Sequence, residues 1–113
     1  MKDELFLRGE KVPMTKEAVR ALALSKLELH RARHLIDIGA GTGSVSIEAA
    51  LQNPTLKVTA IERNPVALRL LAENCRHFAC ANVHIVEGDA PVAIAEPADA
   101  VFMGGSGGHL CEL

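Results

Sequence analysis

Tryptophan and tyrosine are absent from the 113 residues, and phenylalanine occurs only three times. Protein surfaces that read unpaired RNA bases stack them on aromatic faces, so RNA is a poor fit. The net charge of −2 provides no basic footprint for nucleic acid either. No apolar run approaches the roughly 20 residues that cross a bilayer, so no membrane partner is expected. Met1-Lys2-Asp3-Glu4 carries no secretory-leader pattern. Cysteine is scarce: Cys75, Cys80 and Cys111 make an odd set without metal-ligand spacing. That fits a reduced, cytoplasmic compartment, with Cys75 and Cys80 as small packing residues. The five histidines (His30, His34, His77, His84, His109) are not paired at metal-ligand spacing, so no metal is assigned. Internal repeats and low-complexity tracts are missing as well.

What is present is 49% apolar, the composition of a globular chain. The length suits one domain, residues 1–113, with an N-terminal segment and helix over 1–30 and an α/β core over 34–113. Charge is uneven. Residues 1–33 hold eight basic and five acidic side chains, and residues 34–113 hold four and nine. That asymmetry either draws an anionic substrate toward the N-terminal segment or reflects a solvated helix face.

Hydrophobic periodicity orders the elements. Residues 2–13 read as irregular. Thr15 is a candidate N-cap, and Val19, Leu22, Ala23 and Leu27 mark an amphipathic helix over 16–29. Strands are expected over 34–38, 57–62, 83–87 and 99–103. Helices are expected over about 43–51 and, from Asn64-Pro65, to about Phe78. A short helix is expected over 91–95, and residues 109–113 read as the start of another. Strands alternating with helices predict an α/β fold with a mainly parallel, right-handed sheet.

Asp37-Ile38-Gly39-Ala40-Gly41-Thr42-Gly43 lies between the first strand and the following helix. Strand, glycine turn and helix in that order form a cofactor-binding corner with helix N–H groups facing the ligand. The spacing is D-x-G-x-G-x-G rather than G-x-G-x-x-G, and the leading carboxylate suits a ligand with a positive end. Asp37 either fixes the loop or meets an ammonium through water. Glu62, about twenty residues on, ends the second strand, where a carboxylate accepts from a ribose diol; otherwise it is a strand-end charge. Gly88-Asp89-Ala90 ends the third strand, where Asp89 and the Ala90 backbone can meet an adenine, or simply form a turn. The fourth strand ends in Gly104, Gly105, Ser106, Gly107 and Gly108, a side-chain-poor loop that can lie beneath a planar ligand. Ser106 has no evident base beside it, so no nucleophile is assigned. His109 is either a proton-transfer group or a surface residue. No residue is assigned as catalytic.

Together the glycine turn, Glu62 and Gly88-Asp89 resemble the class I S-adenosylmethionine-dependent methyltransferases, a Rossmann-like α/β class. Arg8-Gly9, Val12-Pro13-Met14-Thr15-Lys16-Glu17, Glu62-Arg63-Asn64-Pro65 and Val101-Phe102-Met103-Gly104-Gly105-Ser106-Gly107-Gly108 narrow the resemblance to the decarboxylating precorrin methyltransferases of cobalamin biosynthesis. That resemblance implies S-adenosyl-L-methionine as cofactor. It implies methylation of the meso carbon between rings C and D of (cobalt-)precorrin-6B, with loss of the ring C acetate carboxyl. It assigns Thr15, Gly39, Ala40, Gly41, Thr42, Gly43, Glu62 and Ala90 to the cofactor, alongside Asp37 and Asp89. It turns the 104–108 loop toward a tetrapyrrole. Arg8, Lys11 and Lys16 are expected to anchor the substrate's carboxylates. A homo-oligomer, a tetramer in the family, is implied. The class has seven strands in the order 3-2-1-4-5-7-6. Strands five to seven are expected to be missing here, which would leave strand four as an open edge. The alternatives are a class I methyltransferase with another substrate, a nicotinamide oxidoreductase with the wrong glycine spacing, and a cofactor-binding fragment without catalysis.

Overall fold

The computed structural model describes residues 1–7, 14–88 and 97–104, and the backbone of 109–112. A single 3-10 turn (Asp3–Leu5) precedes helix α1 (Glu17–Lys26). Strand β1 (His34–Ile38), helix α2 (Ser44–Gln52) and strand β2 (Lys57–Glu62) follow. Helix α3 (Pro65–His77), β3 (Val83–Glu87), β4 (Ala100–Met103) and β5 (His109–Glu112) complete the order. The five strands form one sheet, β3-β2-β1-β4-β5. The first four are parallel, with Leu35 opposite Val58 and Ala100, and Glu62 opposite Glu87.

The expected boundaries of α2, α3 and the first four strands hold to within about a residue, because each has a local cause. Asn64 caps α3 by accepting from the N–H groups of Val66 (2.9 Å) and Ala67 (3.2 Å). Helix α1 differs. It stops at Lys26, not Leu29, because Glu28 turns into the left-handed region at φ +49°. Thr15 is not its N-cap. Lys16 holds that position without a side-chain bond, and Thr15 contributes its carbonyl to Arg20.

The expected helix start over 109–113 is corrected: His109–Glu112 is a strand antiparallel to β4, with Val101 opposite Cys111. One isolated helical turn is unfavourable, whereas pairing satisfies the ladder of β4. The expected open edge at strand four is therefore covered by β5. The helix expected over 91–95 lies outside the described residues.

The core forms where Leu35, Val58, Ala100 and Phe102 of the sheet meet Val45, Ile47 and Ala49 of α2 and Ala23 and Leu24 of α1. Cys80 joins this core and Cys75 packs against it. Burial pushes the Cys75 thiol up to about 12 and raises that of Cys80, so both thiols stay protonated and behave as packing groups. His34, buried in β1, lies 2.7 Å from the Thr59 hydroxyl and 3.0 Å from the Pro97 carbonyl through its two ring nitrogens.

The N-terminal segment is pinned by one fully buried cation. Arg20 Nη1 donates to Asp3 (2.7 Å) and to the Thr15 carbonyl, and Nη2 donates to the Met1 carbonyl. Its guanidinium also lies 5.1 Å over the Phe6 ring. Glu48 of α2 pairs with the Met1 ammonium and lies 3.8 Å from Arg20 Nε. The segment is thereby fixed to α1 and α2.

Candidate functional site

Strands β1 to β3 run outward in one direction and β4 lies on the other flank of β1, so the sheet reverses at the β1–β4 boundary. In open α/β sheets the ligand crevice lies at such a reversal, beyond the carboxyl ends of the strands. The glycine turn lies at its base. Gly39, Gly41 and Gly43 have φ of +70°, +59° and +88°. Gly43 has a second requirement: a Cβ there would come 2.4 Å from Leu71 Cδ1 of α3. On the far wall, Gly104 N donates to the Ile38 carbonyl at 2.7 Å. A Cβ on Gly104 would lie 2.7 Å from the Gly39 carbonyl, so only glycine lets β4 end this close to the turn.

Four of the loop amides are already engaged within the protein. Gly39 and Ala40 donate to the Ile61 carbonyl, and Gly43 donates to Ala40. Gly41 donates to Glu62 Oε1 at 2.7 Å, across 21 residues. The other oxygen of Glu62 accepts from Arg63 N and Asn64 N, both at 3.0 Å. A carboxylate offers about four acceptor positions, and backbone N–H groups take three here. Glu62 is thus a clasp for the glycine turn as well as a strand-end acceptor.

Asp37 is buried beneath the turn and accepts from the Ser46 hydroxyl at 2.6 Å, which fixes the exit of the loop into α2. Burial raises its carboxyl to about 7, against the Ser46 bonds, with the nearby Glu62 charge adding to the rise. A raised acid holds its proton longer in the folded state. Asp37 therefore contributes stability that is full below 3.8 and is lost as pH rises to about 7. Asp37→Asn removes that slope. Denaturation curves from pH 4 to 8 should show the variant gaining on the parent up to about 7 and level beyond it. Parallel pH profiles for the two proteins would refute this reading of Asp37.

The structure brings together Asp37, Gly39, Ala40, Gly41, Thr42, Gly43, Glu62 and Gly104 at the crevice. Thr42 is buried with no partner found for its hydroxyl in the described structure. Thr15 is bonded to Arg20 rather than to the turn, and Lys16 is exposed at the start of α1. Arg8, Lys11, Asp89, Ala90, Gly105, Ser106, Gly107 and Gly108 lie outside the described residues, as does the side chain of His109. A cavity of about 1020 Å³ beside Leu24, Leu29, Glu48, Leu51 and Phe78 includes none of the crevice residues. Among the described residues, no group of three His, Cys, Asp or Glu could hold a metal ion.

Among the buried polar residues that the sequence reading did not single out, Arg20 and Asn74 make the most bonds. Each lies on the apolar stripe of its helix, Arg20 with Ala23 and Leu24, Asn74 with Ala67 and Leu71. A polar side chain at an apolar stripe position was the available clue.

The same arrangement recurs in a solved structure, the precorrin-6y C5,15-methyltransferase of Geobacter metallireducens. It aligns with a TM-score of 0.84 at 42% identity, over 95% of this chain and 57% of that one. The fold is that of an α/β methyltransferase. More narrowly, the chain belongs to the precorrin methyltransferase domain family, whose model matches residues 5–111. It is 79% identical over all 113 residues to a cobalt-precorrin-6B C(15)-methyltransferase (decarboxylating) of Salmonella typhimurium, covering 59% of that relative. A probable enzyme of the same description from Sulfolobus acidocaldarius is 47% identical over 108 residues, 92% of this chain and 56% of the relative. The chain thus spans less than two thirds of the length of the curated relatives it matches.

Proposed function

We propose that the chain forms the cofactor-binding part of an enzyme that methylates (cobalt-)precorrin-6B at the meso carbon between rings C and D. The same enzyme would release the ring C acetate carboxyl as carbon dioxide, in cobalamin biosynthesis. The observation that carries this reading is 79% identity to the Salmonella relative across every residue of the chain. The crevice residues fit S-adenosyl-L-methionine. Glu62 keeps about one acceptor position for a ribose hydroxyl. Buried Asp37 places a titratable carboxyl under the turn, suited to a cationic end. Gly104 keeps the opposite wall clear of a side chain.

When bound, the cofactor supplies an electrophilic sulfonium methyl. The chain's own work is alignment: the turn is held rigid by Glu62, Asp37 and the Ile61 carbonyl before any ligand arrives, which lowers the entropy cost of orienting the reactants. Asp89 and Ala90 are proposed to border the adenine, and Thr15 to approach from the N-terminal side. Residues 104–108 are proposed to face the tetrapyrrole, with Arg8, Lys11 and Lys16 taking its carboxylates. Among the described residues no helix is long and apolar enough to cross a membrane, and a cytoplasmic homo-oligomer is proposed.

Mass spectrometry of precorrin-6B incubated with the chain and S-adenosylmethionine tests the reading, with calorimetric titration of S-adenosylhomocysteine and NAD alongside. Gain of one methyl with loss of carbon dioxide is expected. Methyl transfer without that loss would move the chain to another methyltransferase activity. Heat of S-adenosylhomocysteine binding without turnover would make it a cofactor-binding part alone, a reading favoured by its 59% coverage of the Salmonella relative. Binding of NAD only would overturn the proposal.

A further inference from the structure

Asn74 is fully buried in the last turn of α3, on the stripe that also carries Ala67 and Leu71. Its amide nitrogen donates to the Thr42 carbonyl at 2.9 Å and to the Leu7 carbonyl at 3.1 Å. Its oxygen accepts from Leu7 N at 2.8 Å. Both N–H bonds are used, and the amide closes a two-way pair with the Leu7 backbone, as a neighbouring strand would. Leu7 itself belongs to no strand and lies 67 residues from Asn74 in sequence. An apolar side chain at this position would strand the buried Thr42 carbonyl and leave the part-buried Leu7 N–H and carbonyl without this partner.

Two further contacts place the same face of α3 between the N-terminal segment and the glycine turn. Leu71, one turn before Asn74, fills the space where Gly43 lacks a Cβ. Phe78, just beyond the end of α3, packs against Phe6 with the ring centres 5.3 Å apart and the planes tilted by 46°. The segment therefore lies along α3 at residues 6 and 7, and the turn lies on it at residues 42 and 43.

We propose that Asn74 is a positioning residue: it holds Thr42, and so the glycine turn, in one fixed relation to the N-terminal segment. This rests on the reading of the turn as the cofactor site. Asn74 touches no reacting group. It acts through the backbone carbonyl of Thr42, and it makes the shape of the turn depend on a segment remote in sequence. A disturbance at Leu7 is then transmitted to the turn through one side chain.

The test compares Asn74→Ala, Asn74→Asp and Leu56→Ala in the full chain. Leu56 is fully buried before β2, and its removal loosens the core without touching the turn. Amide hydrogen exchange is followed at Leu7, Gly41 and Gly43, and S-adenosylhomocysteine affinity is measured by calorimetry. Asn74→Ala should speed exchange at all three amides beyond its global loss of stability, and should weaken binding about tenfold. Leu56→Ala should show only the global effect and bind as the parent does. Asn74→Asp keeps the shape and the Leu7 acceptor but turns an oxygen toward the Thr42 carbonyl. It decides the matter should Asn74→Ala not fold, and the same local change is expected of it. Unchanged exchange at Gly41 and Gly43 in a folded Asn74 variant overturns the inference, as does an equal local effect from Leu56→Ala. If the parent chain fails to bind S-adenosylhomocysteine, the proposed function falls, while the exchange measurements still decide the role of Asn74.

Discussion

Replacing Glu62 by glutamine is expected to weaken S-adenosylhomocysteine binding by about 10- to 100-fold, nearly as much as replacing it by alanine. The reason is the double use of the carboxylate. One oxygen holds Gly41 N at 2.7 Å, and the other holds Arg63 N and Asn64 N. A glutamine can satisfy only one side with its carbonyl. Its NH2 must then face a backbone donor, and the better-populated side is the one with two N–H groups. The amide therefore points at Gly41 and releases the turn. A residue that merely received a ribose hydroxyl would keep most of its function as glutamine, because the amide can still hydrogen-bond there. Calorimetric affinities of Glu62→Gln and Glu62→Ala separate the two roles. A glutamine variant within about threefold of the parent, roughly half a kcal/mol, would show that the tie to Gly41 is unimportant.

The largest loss of stability is expected at Arg20. Arg20→Met should cost about 3–5 kcal/mol, because it leaves Glu48 and several carbonyls with fewer partners in a buried setting. A domain of this size has only about 5–15 kcal/mol in hand, so the midpoint of thermal unfolding should fall by on the order of 20 °C. The guanidinium gathers Asp3, the Thr15 carbonyl and the Met1 carbonyl, and lies over Phe6. No single surface pair is of comparable value, since exposed pairs contribute about 0–1 kcal/mol. Urea denaturation of Arg20→Met, Glu48→Gln and the double variant measures it. The double variant should be more stable than the two separate losses imply, since it no longer leaves either Arg20 or Glu48 buried without the other. A loss below about 1 kcal/mol for Arg20→Met would mean that the cluster is dispensable.

The sheet and its glycine corner were readable because their causes are local. Apolar runs mark β1 and β2, Asn64-Pro65 starts α3, and the glycines at positive φ mark the turn. Where the reading failed, the cause lay elsewhere in the chain. The tail at 109–112 became a strand because β4 presented an unpaired ladder, which no property of those residues reveals. Helix α1 ended early at a left-handed Glu28, a residue type with no strong preference for that conformation. Thr15 lost its expected capping role to a carbonyl bond with Arg20.

The residues by themselves determined a strand–glycine turn–helix corner, an acidic side chain at the end of the next strand, and the family to which they belong. Backbone sterics at glycine, helical periodicity and capping act over a few neighbours and so are written in order along the chain. Only the tertiary structure decided that Glu62 clasps the turn, that Asp37 is buried and titrates near neutrality, and that Arg20 and Asn74 anchor the N-terminal segment. Those bonds join residues as far as 67 positions apart. Their donors and acceptors meet because packing excludes water from them, and burial depends on the whole fold rather than on any one stretch of it.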